Sequence, residues 1–494
     1  MMADLFAFGR KQVGVRPLRD YQERDLKAIV EAFDGGKRSV LYVLPTGGGK
    51  TRLFSELIER FSGRRRRILS IAHRTELIDQ ASAALDHLGV RHGIIMAGRK
   101  ESREAVQVGS IDTLGARSDR YQEYLGSVGL LIVDEAHHGV AAKYRRLLAA
   151  MPNAQVLGVT ATPYRFDGQG LGDIFDMAIE GPGIRALTLA GHLVSALVYA
   201  PPAKLNLSKV SKRMGDYVAS ELAKVVDGDE VTAIAIASYR SICPDRPAIA
   251  FCASVDHAQH VAAAFQSLGI NAQAIDGTTP AGPRERAIRG LANGNPQVLV
   301  TCQLVDEGTD VPAVGCAIFL APTLSTGRYL QRIGRVLRPA PGKTDAIVLD
   351  IVGVVAEHGM PDEPRPWSLQ GGVKGMERAV ARTRTCRSCR RVAAVGPDCC
   401  PGCGKAYRRP QGPRMATQAA DRERWLRSRD ARCVFDLDVQ TIRNARIDVL
   451  LAIALRQETD ELRMKDLTKI AEARGYKRGW AWFKMQELRY HRRA

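Results

Sequence analysis

Three short stretches carry groups that could handle a polyphosphate. The run LPTGGGKT (44–51) lies between an apolar segment and one with helical spacing. Its glycines, Gly47, Gly48 and Gly49, would let backbone N–H groups wrap phosphate oxygens. Lys50 would reach the outer phosphates and Thr51 would hold magnesium, with Pro45 and Thr46 opening the loop. The strict loop pattern begins with Gly or Ala, and here the first residue is Leu44. In LLIVDEAHH (130–138) two adjacent carboxylates close an apolar run, a costly place for charge unless a cation is near. Asp134 is expected to bind the magnesium, and Glu135 to orient or deprotonate an attacking water. Finally, QRIGRVLRP (331–339) spaces Arg332, Arg335 and Arg338 so that a helix projects them from nearly one face. Their planar forks suit phosphate oxygens, and a solvated basic stripe is the other reading of those nine residues.

A fourth stretch has a different chemistry. CRSCRRVAAVGPDCCPGCGKAYRR (386–409) holds two Cys-x-x-Cys pairs separated by ten residues. Four thiolates at this spacing suit one tetrahedral zinc ion, with Cys386, Cys389, Cys400 and Cys403 as ligands. Cys399 is the alternative to Cys400, and a redox pair is the competing chemistry. By contrast Cys243, Cys252, Cys302 and Cys316 sit singly in apolar segments and read as small buried hydrophobes in a reducing compartment.

Positioning these groups requires a scaffold. SVLYVL (39–44), RILSIA (67–72), VQVG (106–109), VGLLIV (128–133) and AQVLGV (154–159) read as buried parallel strands alternating with helices. A second series follows in LVSALVY (193–199), AIAFC (248–252), QVLVT (297–301), GCAIFL (315–320) and DAIVLD (345–350). The expected fold is α/β, with two doubly wound parallel-sheet domains in tandem, residues 1–185 and 186–356. A proline- and glycine-rich linker and the four-cysteine zinc module occupy 357–415, and a basic helical tail 416–494. The chain of 494 residues has a formal charge of +19, and residues 361–494 contribute +14 of it, which points to a polyanion partner. The first dozen residues lack signal-peptide character and no apolar run approaches a membrane span, so a cytoplasmic protein without membrane contact is expected.

The phosphate loop and DEAH run together resemble the superfamily 2 helicases, motors of two RecA-like domains, and the resemblance extends along both α/β halves. LRDYQ (18–22) is similar to the adenine-sensing motif, which implies that Gln22 reads the adenine edge. AHRTELIDQ (72–80) and GSIDTL (109–114) resemble the strand-tracking segments, and VTATP (159–163) the segment coupling hydrolysis to domain movement. IAFCAS (249–254), VDEGTDVP (305–312) and QRIGRVLR complete the set in the second half. By this likeness Gly308 and Asp310 touch the nucleotide, Arg335 and Arg338 act as arginine fingers, and Arg332 packs structurally. Nucleic-acid contacts fall to His73, Arg74, Thr75, Ser110, Thr113, Ser254 and Thr301, with Thr75 capping the helix that follows it.

The implied activity is an ATP-dependent helicase or translocase using ATP, Mg2+ and Zn2+ on single-stranded or forked DNA. An ATP-switched clamp and an RNA helicase are the alternatives. Motor plus cysteine knuckles resembles the bacterial RadD-type helicases, which implies contacts with repair proteins. This chain is shorter than that group and ends in a helical tail, so phage replication partners are equally compatible. Two basic stretches remain outside the motor motifs. GRRRR (63–67) precedes a strand and reads as a solvated loop at the amino ends of the sheet. GYKRGWAWFKMQELRYHRR (475–493) interleaves Trp480, Trp482, Phe483 and Tyr490 with cations, as a single-strand stacker or an amphipathic helix docked on its own motor would.

Overall fold

The computed structural model describes residues 17–62, 66–138, 142–163, 170–302 without 202, 204 and 214, 311–370 without 366, 383–407, and most of 434–490. The chain divides into two compact units, Met1–Ala406 and Tyr407–Ala494.

In the first unit, β1 (Ser39–Val43), β2 (Arg67–Ala72), β3 (Gly93–Ile95), β4 (Val106–Ser110), β5 (Val128–Asp134), β6 (Gln155–Thr160) and β7 (Met177–Glu180) form one sheet. Their order is β3-β4-β2-β5-β6-β1-β7, and every pairing is parallel. Helices cover both faces, which is why β1 is buried at every residue. Val40 and Tyr42 pack with Leu26, Phe54 and Ile58 on one face, and Leu41 and Val43 pack with Leu114 and Tyr144 on the other. A short helix, Ile184–Leu189, then leads to β8 (Ser195–Tyr199) of a second sheet.

After β8 comes a small antiparallel hairpin, β9 (Lys212–Arg213) and β10 (Asp216–Tyr217). The second sheet continues with β11 (Ala248–Phe251), β12 (Ala272–Ile275), β13 (Val298–Thr301), β14 (Cys316–Phe319) and β15 (Asp345–Asp350). Its order is β12-β13-β11-β14-β15-β8, again all parallel. The two RecA-like sheets expected from the sequence are therefore present. All ten apolar runs form strands, with ends displaced by a residue or two. Strands β3, β7 and β12 were not foreseen. Each is a partly exposed edge strand of only three or four residues, too short for its apolar residues to stand out from a loop.

The cysteine segment contributes a two-stranded antiparallel ribbon, β16 (Thr383–Thr385) and β17 (Val392–Ala394). Val392 enters the core of the second sheet. The unit Tyr407–Ala494 contains helices Val439–Asn444, Ile447–Leu455, Asp460–Arg474 and Trp480–Tyr490 around Ile442, Leu450, Ile453, Leu467, Ile470 and Met485. Among the described residues, no helix is long and apolar enough to cross a membrane.

Candidate functional site

The phosphate loop leaves β1 and runs into helix Lys50–Ser62. Gly47 and Gly49 hold φ values of 85° and 90°, a left-handed backbone that side chains resist, so the loop can curl tightly. At the neighbouring strand end, Asp134 closes β5 and Glu135 turns the chain with φ 49°, unusual for a residue with a side chain. That turn brings the Glu135 carboxylate 3.6 Å from Lys50 Nζ. Lys50 also donates to the Leu44 carbonyl at 3.4 Å.

The second sheet supplies the opposite wall through helix Thr326–Val336, capped by Ser325, whose hydroxyl accepts from the Arg328 N–H. Gly334 lets this helix approach the loop closely: a Cβ there would lie 2.5 Å from Thr46 Cβ. A Cβ on Gly47 would in turn lie 3.4 Å from Arg338 Cγ. The result is one cavity of about 460 Å³ lined by Pro45, Thr46, Gly47, Gly49, Lys50, Thr51, Asp134, Glu135, Arg335 and Arg338, among others. Groups separated by some 200 residues in sequence thus face one space. A second cavity, of about 410 Å³, shares Pro45 and Thr46 but contains neither the carboxylate pair nor Lys50.

Burial, reinforced by the Glu135 charge, pushes the Asp134 carboxyl up to about 7, with Lys50 opposing. A divalent cation would relieve that repulsion, so the donor set of Asp134 and Thr51 fits a magnesium ion carried with polyphosphate.

His137 and Gln331, which the motifs contain without marking them for chemistry, link the walls. His137 Nδ1 lies 3.0 Å from Thr160 Oγ1 and 3.4 Å from Glu135 Oε2. The Thr160 hydroxyl donates to the Thr162 carbonyl at 2.8 Å, so it accepts from His137, which places the imidazole proton on Nδ1. The bare Nε2 then faces the Gln331 amide at 3.5 Å. Glu135, β6 and the arginine helix are therefore joined through one buried imidazole. Lys343 also escaped the sequence reading. It donates to the carbonyls of Arg338 and Pro312 at 2.8 and 2.9 Å, and so holds the chain just beyond the helix. Burial pushes its amine down to about 8. Nothing in the local sequence marks it, because its partners are backbone atoms.

Several expected contacts take a different form. Gln22 is buried, accepts from the Arg19 N–H at 3.0 Å and donates to the Gly49 carbonyl at 3.2 Å, so it braces the loop from behind. Gly48 also faces away, its carbonyl accepting from the Tyr21 hydroxyl. Arg332, by contrast, was expected to pack structurally, and it is buried with its guanidinium 5.0 Å from the Phe251 ring centre. Gly308 and Asp310 lie outside the described residues, as do residues 63–65 of the GRRRR run.

On the expected strand-tracking side, Thr75 is not a cap. Helix Thr75–His87 has Arg74 at the capping position, and Thr75 is its exposed first residue. Ser110 and Ser254 do cap helices, accepting from the N–H groups of Thr113 and His257. The Thr113 hydroxyl accepts from the Ala97 N–H at 3.1 Å. Thr301 is completely buried at the end of β13 and presents nothing to solvent in this arrangement. His73 is half-buried and follows Ala72, which pairs with Ser110 at the strand ends. Across the mouth, Arg284 from the second sheet's side reaches Glu76 at 3.5 Å.

In the cysteine module the Sγ atoms of Cys386, Cys389, Cys400 and Cys403 lie within 4.8 Å of one another. The Cys386–Cys403 and Cys389–Cys400 pairs stand at 3.7 and 3.5 Å. Sulfurs around a tetrahedral zinc at ~2.3 Å are separated by roughly 3.8 Å, so the quartet fits that ion. Cys399 is exposed and outside the quartet.

Comparison with known proteins agrees with this geometry. Residues 16–165 match the family described as the res subunit of type III restriction enzymes, and residues 235–340 match the helicase conserved C-terminal domain. A 51.5 kDa protein of a Lactococcus phage is 30% identical over 373 residues, 74% of this chain and 77% of that protein. A DNA 3'-5' translocase, XPB2, of Sulfurisphaera tokodaii is 24% identical over 68% of this chain and 81% of its own length. Among solved structures, a fragment described as an HsdR subunit of a Vibrio vulnificus type I restriction enzyme superposes with a TM-score of 0.59. The two are 20% identical, and the match covers 73% of this chain and 68% of that one. The chain belongs to one family with the phage protein, and it is a superfamily 2 helicase, an ATP-hydrolysing enzyme.

Proposed function

We propose that ATP is bound and hydrolysed in the cleft between the two sheets, and that the cycle drives movement along DNA. The observation that carries this reading is the single cavity that Lys50, Asp134 and Glu135 share with Arg335 and Arg338. In it the loop amides and Lys50 hold the phosphates, and Glu135 aligns the attacking water and accepts its proton. Arg335 and Arg338 stabilise charge that builds on the leaving phosphates, and they can do so only while the cleft is closed. Thr51 and Asp134 would hold a magnesium ion, whose charge offsets that of the phosphates. When phosphate leaves, the arginine helix loses its partner. The His137–Gln331 contact would then transmit the change at Glu135 to the second sheet.

DNA as the track is supported by the likeness to XPB2, a DNA translocase, and by hydroxyls and helix starts beside the cleft rather than base-reading side chains. Contacts would come from His73, Arg74, Thr75, Ser110, Thr113 and Ser254, with Thr301 joining only if the cleft opens. Cys386, Cys389, Cys400 and Cys403 would hold one zinc ion, which supplies folding energy to a segment with little apolar core. Lys50→Ala and Glu135→Gln test the reading. Each should abolish DNA-stimulated ATPase and release of strand from a forked duplex. Intact stimulated turnover in either variant would refute it, and turnover without strand release in the parent would favour the ATP-switched clamp.

A further inference from the structure

The basic aromatic run near the end of the chain belongs to the second compact unit. Of residues 476–483, four are aromatic, whereas aromatic residues make up 6% of the chain. Among the described residues, the exposed aromatic side chains are Tyr476, Trp482 and Phe483, at 38%, 54% and 69% exposure. All three fall where the chain turns into helix Trp480–Tyr490. The fold holds them there. Helix Asp460–Arg474 ends at Gly475, whose φ of 67° reverses the chain. Met485 is buried against Leu467 and Ile470, and Trp480 packs on the same core, which fixes the next helix. With Trp480 and Met485 turned inward, Trp482 and Phe483 are turned outward. Tyr476 lies 4.7 Å from the Trp480 ring, and Trp482 meets Phe483 edge-on at 5.1 Å. Residues 473–486 carry four cations, Arg474, Lys477, Arg478 and Lys484, and no acid. Lys477 is exposed beside Tyr476.

We propose that this turn is a stacking platform for the unpaired bases of a DNA strand. Flat apolar faces left in water are unfavourable unless something covers them. Bases offer π-faces of the right size, and the strand's phosphates match the local cations. Paired bases would keep their faces hidden, so a single strand is selected over a duplex. The choice of DNA over RNA rests on the motor reading above, while the stacking surface rests on the exposed rings alone.

The test uses the full chain without nucleotide. Trp482→Ala with Phe483→Ala should weaken binding of a 20-nucleotide oligothymidylate at least ~5-fold, the low end for one lost stacking contact. Duplex binding should stay unchanged, and so should the slope of log affinity against log salt, since no cation is removed. Lys477→Glu should lower that slope. Tyr at both positions should restore binding, which separates stacking from folding. Basal ATPase should not move. Oligothymidylate affinity within twofold of the parent would overturn the proposal, as would an equal loss on duplex or a tighter fit to the matching RNA. Loss of basal ATPase with unchanged strand affinity would instead make the turn a protein-docking surface. Because the assay contains no nucleotide, it should read the same in a Lys50→Ala background, so its failure is distinct from failure of the motor reading.

Discussion

Replacing Gly334 with alanine sets two physical effects against each other. In a helix, glycine is less favourable than alanine by about 0.5–1 kcal/mol, so the substitution should strengthen helix Thr326–Val336 taken alone. The added methyl, however, would lie 2.5 Å from Thr46 Cβ, 3.0 Å from its Cγ2 and 3.3 Å from its carbonyl oxygen. These atoms belong to the phosphate loop and cannot retreat without distorting it. Overpacking of this kind costs about 1–3 kcal/mol. The penalty exists only when the cleft is closed, so it lowers the population of the closed state by about 5- to 150-fold. Only that state joins Arg335 to the cavity, so kcat for ATP should fall by the same factor. Nucleotide binding to the loop should weaken much less, and the unfolding temperature should stay level or rise. Steady-state ATPase, nucleotide titration and thermal unfolding on one preparation measure all three. Unchanged kcat with a raised unfolding temperature would mean that helix propensity is the whole effect, and would refute closure as the step that brings the arginines in.

Four further outcomes follow from the same geometry. Arg335→Ala should reduce ATPase by roughly 10³–10⁵ while leaving nucleotide binding nearly intact; equal losses in both would make it a ground-state contact. Gln331→Ala should leave more basal ATPase than DNA-stimulated ATPase, read as the ratio of the two rates, and an unchanged ratio would remove the His137 link from the coupling path. Asp134 is raised to about 7 from the usual 3.8, so between about pH 4 and 7 the folded chain holds a proton that the unfolded chain has released. Stability of the metal-free motor should therefore fall as pH rises through that window, and magnesium should bind more tightly at pH 8 than at pH 6, with proton release measurable by calorimetry in two buffers. Finally, Cys400→Ser should lose zinc measured by metal analysis and Cys399→Ser should retain it; the reverse would exchange the two ligands.

The parts legible in the sequence are those whose physics is local. A buried parallel strand must be apolar along its length, so ten strands were readable. A phosphate loop needs glycines at fixed offsets, and adjacent acids at a strand end advertise a cation. Edge strands β3, β7 and β12 lack that pressure and were invisible. The hydroxyls of Ser110, Thr113 and Ser254 illustrate a second limit. Their places just after strands were readable, yet each is engaged with a nearby backbone N–H, which a sequence cannot distinguish from a strand contact. Thr75 was misplaced by one residue because the chain enters its helix at Arg74. Long-range pairs were out of reach altogether. His137 meets Gln331 across 194 residues, and Lys343 is held by carbonyls that carry no side-chain signature.

The cysteine module shows how a small metal-type knuckle becomes part of a motor rather than an appendage. Strand β8 is the edge of the second sheet, and its outer backbone groups need partners. The module supplies them. Tyr199 forms an antiparallel bridge with Arg391, and the Ala200 N–H donates to the Arg390 carbonyl at 3.0 Å. Arg390 adopts φ 63°, and this left-handed turn between Cys389 and Arg391 carries the chain out of the knuckle and onto the sheet edge. Arg391 then lays its guanidinium 5.4 Å from the Tyr199 ring centre, and Val392 drops into the core below. The four sulfurs and the sheet edge are thus joined by three consecutive residues. Whatever orders the quartet also orders the end of β8. Asp216 of the β9–β10 hairpin pairs with Arg328 at 2.7 Å at the beginning of the arginine helix. Val392 also shares one buried core with Tyr329, Ile333 and Val336 of the arginine helix, so a disturbance at the cysteines reaches that wall of the cavity through packed side chains.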